Sequence, residues 1–158
     1  MKNLYNNDFY DNQFNASLES AEVIAGILAN VISPQSIVDF GCGRGAWLSA
    51  FHDKFAAELT GIDGPWVKEQ DLHSPKIKLI NYNFSDLCEA IHYGKFDLCI
   101  SCEVAEHIPK NKENYFIESL SKSADIILFS AGMPGQGGIG HINEQKPSYW
   151  ADKFALHG

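Results

Sequence analysis

Ser36-Ile37-Val38-Asp39-Phe40-Gly41-Cys42-Gly43-Arg44-Gly45-Ala46-Trp47 passes from an apolar run, through three alternating glycines, into the start of an amphipathic pattern. It reads as a buried strand running straight into a tight turn and a helix. Glycines at such a junction let the backbone turn sharply and a ligand approach closely. The helix that follows presents N–H groups with no partner inside the helix. Asp39 stands at the mouth of the strand, where its carboxylate can receive a cationic ammonium group or cap local backbone N–H groups.

Working outward, the chain alternates short apolar runs with helical patterns. Residues 1–15 are polar and Asn-rich. SLESAEVIAGILANVI (17–32) then carries Leu18, Ala21, Ala25, Leu28 and Ile32 at helical spacing. After SIVDF (36–40) come a helical GAWLSAFHDKF (45–55), a strand ELTGID (58–63) and a short turn or helix around PWVKEQ (65–70). KIKLINY (76–82), a helical FSDLCEAIHY (84–93), FDLCIS (96–101), a helix around NYFIESLSK (114–122) and DIILFSA (125–131) follow. Five strands separated by helices predict a single α/β domain over residues 1–158, a doubly wound, mostly parallel sheet with helices on both faces. A loop with five glycines (132–146) leads to a last helix, with Pro147 in its first turn and Gly158 as a C-cap.

Composition narrows the function. With 158 residues and 45% hydrophobic content the chain can bury one core. No apolar run approaches the ~18 to 20 residues of a membrane span, and the N-terminus lacks the apolar region of a signal peptide, so a cytoplasmic protein without membrane association is expected. A net charge of −8 with only 12 Lys and Arg disfavours nucleic acid as a partner. Of the four cysteines, Cys99 and Cys102 form a C-x-x-C pair, yet inside a strand residues three apart point to opposite faces. Four free, mostly buried thiols in a reducing compartment are expected.

The acidic residue followed by alternating glycines resembles the first motif of the class I S-adenosylmethionine-dependent methyltransferases, and the similarity continues in motif order to about Phe154. It implies a Rossmann-like fold, S-adenosylmethionine as cofactor, and methyl transfer to an O or N nucleophile of a small molecule. Asp39, Gly41 and Gly43 then face the cofactor. Asp63, about twenty residues after the turn, is placed to accept both ribose hydroxyls, with Gly64 beside it. Trp66 lines the adenine pocket on this resemblance, although ordinary packing also accounts for it. Asp86 corresponds to the acidic residue beside the adenine amino group, with Phe84 and Leu87 as apolar neighbours; Ser85 or Asp86 also reads as a helix N-cap. Cys102, Glu103 and His107 lie in a segment, Ser101 to Pro109, that resembles the family's closure over the methionine part and faces the acceptor. His141, Asn143 and Glu144 are the polar groups of the glycine loop placed to touch an acceptor, and His141 is the candidate proton acceptor.

No metal is expected, because Glu106 directly beside His107 lacks the helical i, i+4 pairing that aims two ligands at one ion. Two rivals stay open. Gly41, Gly43 and Ala46 also satisfy the G-x-G-x-x-A of nicotinamide-dependent oxidoreductases, although Asp39 and the Glu-His segment count against that reading. The resemblance also implies a sixth and a seventh strand, which do not appear before residue 158. A domain truncated at its C-terminus, or a cofactor-binding module without catalysis, is therefore the second alternative.

Overall fold

The computed structural model describes residues 7–157. Its centre is β1 (Ser36–Phe40), whose last four residues are buried, because a strand covered on both faces needs apolar side chains in both directions. Parallel to it on one side lie β2 (Glu58–Asp63) and β3 (Ile77–Asn81), and on the other β4 (Leu98–Cys102) and β5 (Ile127–Ser130), in the order β3-β2-β1-β4-β5. The doubly wound parallel sheet expected from the sequence is thus present.

Strand alternation sorts the core into two layers. Ile37, Leu59, Leu98 and Ile100 face α1 (Asn7–Leu28) and α2 (Ala46–Phe55), meeting Ala25, Leu48 and Phe51. Val38, Phe40, Ile62 and Cys99 face α3 (Glu113–Ser123) and α4 (Pro147–Phe154), where Phe116, Ile117, Leu120 and Trp150 complete the layer. Cys99 and Cys102 fall into opposite layers, and all four cysteines are free thiols, Cys88 exposed and Cys102 half-buried.

Three sequence expectations are corrected. First, α1 starts at Asn7, inside the Asn-rich segment. A helix of weak propensity is carried by tertiary packing, here by Phe14, whose ring stands 4.5 Å from that of His73. Second, residues 84–93 form no α-helix; Phe84–Asp86 is a single 3-10 turn, capped by Asn83 accepting from the Ser85 N–H. Phe84, Leu87 and Ile91 have helical spacing, yet the Ile91 N–H is given to Ser119 Oγ at 2.9 Å rather than to a carbonyl of a preceding turn. Third, Asn143 and Glu144 of the glycine loop do not line the cleft, because residues 132–146 are wound around the Glu144 carboxylate, described below. The Gly158 cap lies outside the described residues, and α4 ends at Phe154 with Ala155 as its C-cap. Among the described residues no helix is long and apolar enough to cross a membrane.

After β3 the chain returns to the centre and places β4 beside β1, so the strand order reverses between them. Open α/β sheets bind ligands at the C-terminal ends of the strands at such a reversal.

Candidate functional site

At that point a cleft of about 460 Å³ opens between the turn after β1 (Gly41, Cys42, Gly43, Arg44), the segment after β4 (Cys102, Glu103, Glu106, His107) and His141. One wall is α1, through Phe14, Ser17 and Ser20. No motif announces this wall, because it depends on where α1 packs. A wider groove of about 940 Å³ runs along the β5 edge beside Phe129, Trp150 and Phe154, without a comparable cluster of titratable groups.

The glycine turn requires its glycines. Gly41, Gly43 and Gly45 have φ of +89°, +51° and +82°, the left-handed region that side chains disfavour. A Cβ at Gly41 would also stand 2.3 Å from a Val104 methyl. Asp63 pins the turn from the end of β2. Its Oδ2 accepts the Gly43 N–H at 2.7 Å, its Oδ1 accepts the Gly64 N–H at 2.6 Å, and the Trp66 side chain reaches it as well. Burial raises the Asp63 pKa while those three hydrogen bonds lower it, leaving it above the ordinary carboxylate range. The indole of Trp66 lies across Gly64, where a Cβ would be 2.1 Å from a ring carbon.

Asp39 does not line the cleft. It is 2% exposed, and its Oδ2 has no hydrogen-bond partner among the described residues. Burial first, and the Asp63 carboxylate second, push its pKa well above the usual value. Cys102 lines the cleft, but burial first and Asp39 second push its thiol up to about 12, which keeps it protonated at neutral pH. Asp86 is exposed and Leu87 wholly buried in the core, and neither reaches the cleft. Leu87 serves as packing in this structure.

Across the cleft from the glycine turn, Glu103 has φ +57°, a conformation that non-glycine residues hold mainly where the surroundings impose it. Here they do. Its two oxygens accept from Ser130 Oγ at 2.8 Å and Gln136 Nε2 at 3.0 Å. The glycine loop folds back on the same segment, with the Ile142 and Asn143 N–H groups both donating to the Glu106 carbonyl at 2.9 Å.

Two residues expected at the acceptor have other duties. Asn143 is 3% exposed and donates from Nδ2 to Glu113 Oε2 at 2.9 Å, tying the loop to α3. Glu144 is the carboxylate around which the loop winds. It accepts from the Gly135 and Gly137 N–H groups at 2.9 and 2.8 Å and from His141 Nδ1 at 2.9 Å. The His141 hydrogen bond, then the Gly135 N–H, hold its pKa below the ordinary value. It is a positioning residue for His141.

His141 does reach the cleft. Its ring meets that of His107 edge-on, with centroids 4.9 Å apart, and its Nε2 is 3.9 Å from Glu106 Oε1. Spacing along the chain speaks against a metal only for residues that are neighbours in sequence. Folding overturns that ground by bringing the third group from a distant loop, so that one ligand atom each of Glu106, His107 and His141 lie within 4.8 Å of one another. Glu106 is fully buried, and neither of its carboxylate oxygens has a hydrogen-bond partner among the described residues.

Residues 15–127 match the family model described as a methyltransferase domain. The chain belongs to the methyltransferase domain family. This methyltransferase domain is 27% identical over 92 residues to the sphingolipid C9-methyltransferase of Candida albicans, a match covering 52% of this chain and 18% of that protein. It thus spans under a fifth of that relative. Among solved structures, the mitomycin 7-O-methyltransferase MmcR superposes with a TM-score of 0.65 at 14% identity, over 90% of this chain and 48% of its own. Human N-acetylserotonin methyltransferase, solved in complex with SAM, superposes with a TM-score of 0.59 at 14% identity, over 92% of this chain and 50% of its own. At such identities the likeness establishes a common Rossmann-like fold.

Proposed function

We propose that the chain binds S-adenosylmethionine in the cleft between β1 and β4 and transfers its methyl group to an O or N nucleophile of a small molecule. The observation that carries this reading is the cleft itself, with the glycine turn on one side and the Glu103, His107 and His141 cluster on the other. The family's activity agrees with it. Asp39 beneath the turn and Asp63 beside it put two acidic groups next to the glycines, a setting that suits a cationic cofactor better than a pyrophosphate. That preference supports S-adenosylmethionine over the nicotinamide alternative left open by Gly41, Gly43 and Ala46.

Catalysis of this kind is chiefly alignment. The methyl carbon is already activated by the sulfonium, so displacement in line with the departing sulfur needs the acceptor placed and water excluded. Asp63 holds the turn and faces the ribose, with Gly64 and Trp66 beside it; the adenine then lies toward Asp86. Cys102 and Glu103 flank the methionine part. His141, with Nδ1–H given to Glu144, keeps an Nε2 lone pair with which to contact an acceptor and take its proton.

Calorimetry with S-adenosylhomocysteine and NAD in parallel tests the cofactor class. S-adenosylhomocysteine should bind and stabilise the fold by ~2.7 kcal/mol at a hundredfold excess over its Kd. A thermal shift with NAD and none with millimolar S-adenosylhomocysteine would refute the reading.

A further inference from the structure

We infer that Glu106, His107 and His141 form a binding site for one divalent transition-metal ion at the acceptor end of the cleft. Three independent observations converge there. The first is the geometry of the cluster: one carboxylate and two imidazoles with ligand atoms inside 4.8 Å. Bonds of ~2.1 Å set neighbouring ligands of one ion ~3 to 4 Å apart. The 3.9 Å between His141 Nε2 and Glu106 Oε1 already falls in that range.

The second is the state of Glu106. A carboxylate buried without donors is costly, and such groups are ordinarily paired or bound to a metal. Glu106 is 0% exposed, and no described residue gives either oxygen a hydrogen bond.

The third is the orientation of the two rings. His107 Nδ1 is 3.2 Å from the Gly140 carbonyl oxygen, which can only accept, so Nδ1 carries the proton and Nε2 the lone pair. His141 Nδ1 is 2.9 Å from Glu144 Oε1, a carboxylate oxygen that also accepts the Gly137 N–H, so the same tautomer follows. An imidazole whose far N–H is held by a carbonyl or carboxylate is the usual arrangement of a metal-bound histidine. Gly138 supports it, since a Cβ there would stand 2.3 Å from His141 Nε2 and cover that nitrogen.

Two imidazoles and one carboxylate leave coordination positions for water or an acceptor and suit zinc, manganese or iron better than calcium or magnesium. If the methyl-transfer reading holds, on which this last step rests, the ion polarises an acceptor oxygen, and His141 serves as its ligand rather than as the base.

The test adds Mn2+ and Zn2+ separately to chelator-treated protein without cofactor, so that it reads this site whatever the outcome with S-adenosylhomocysteine. One equivalent should bind, and pulsed EPR of the Mn2+ form should show nitrogen couplings from imidazole. Glu106→Gln should weaken binding at least a hundredfold, and Glu144→Gln ten- to a hundredfold. Cys88→Ser, at the exposed thiol, should leave Zn2+ affinity unchanged. Absence of saturable binding of both ions, or Mn2+ bound without nitrogen coupling, would overturn the assignment even if a variant failed to fold. Equal affinity in a folded Glu106→Gln protein would do the same.

Discussion

Glu106 and Glu113 are both buried, 0% and 3% exposed, the one in the segment after β4 and the other at the first residue of α3. Their surroundings differ in kind. Glu113 receives Asn143 Nδ2 at 2.9 Å, the Tyr149 hydroxyl, and Lys153 Nζ at 2.9 Å. Glu106 receives no hydrogen bond from the described residues and faces two imidazole rings instead. A buried carboxylate must recover its lost hydration from donors, and for Glu113 the fold supplies them. Its place is explained by architecture, since it ties the glycine loop and α4 to α3. Glu106 has no architectural explanation of that kind, and a burial that the fold alone does not compensate points to a ligand.

The largest effect expected from this contrast is on stability. Glu113→Gln strips Lys153 of its counter-charge and sets an amide N–H against the Asn143 donor. Breaking this partly buried network costs about 2 kcal/mol, which lowers Tm by roughly 4 to 8 °C in a chain of this size. The effect should depend on pH. Burial raises the Glu113 pKa, but the Tyr149, Asn143 and Lys153 hydrogen bonds outweigh it and hold the pKa below its ordinary value. A depressed carboxylate pKa contributes stability above the unfolded value, near 4.3, that is lost as pH falls through the folded one. Thermal melts of wild type and variant should therefore converge as pH falls below about 4. A difference that stays constant through that range would mean the network does not depend on ionised Glu113.

The contrast also explains what the sequence revealed and what it hid. The sheet was legible because β1 and its glycine turn carry their conformation locally, in apolar residues and in glycines that need positive φ. The segment 84–93 misled because Phe84, Leu87 and Ile91 have helical spacing, while the partner that decides the backbone, Ser119, is distant in sequence. The acceptor side was half legible. His141 was found by residue type and position after the fifth strand, but Asn143 and Glu144 were assigned to the acceptor when their partners, Glu113 and the loop's own N–H groups, were hidden. The Glu106, His107 and His141 cluster was missed because it forms between segments that no spacing rule connects.

Asp63 stands between the two extremes, with both oxygens already holding backbone N–H groups at the end of β2. Asp63→Ala should lower S-adenosylhomocysteine affinity about ten- to a hundredfold, the equivalent of roughly 1.5 to 3 kcal/mol of charge-assisted hydrogen bonding. It should also lower Tm, since the Gly43 and Gly64 N–H groups lose their acceptor. Titration calorimetry separates the two effects. A fall in Tm with unchanged affinity would move Asp63 into the class of Glu113, as a purely architectural carboxylate.

The smallest effect should come from Glu106→Gln in metal-free protein, and its smallness is the informative result. No hydrogen bond to the Glu106 side chain is lost. The substitution removes a carboxylate that is costly to bury and introduces amide N–H donors able to reach the Nε2 lone pair of His141. Stability in the presence of a chelator should therefore change by less than about 1 kcal/mol, a Tm shift of at most a few degrees and upward in direction. Adding Mn2+ should reverse the order, because only the wild type then gains binding free energy in its folded state. Calorimetric scans of both proteins, with chelator and with Mn2+, make the comparison directly. A metal-free loss as large as that of Glu113→Gln would show that Glu106 is held by the fold after all, and the difference between the two glutamates would disappear.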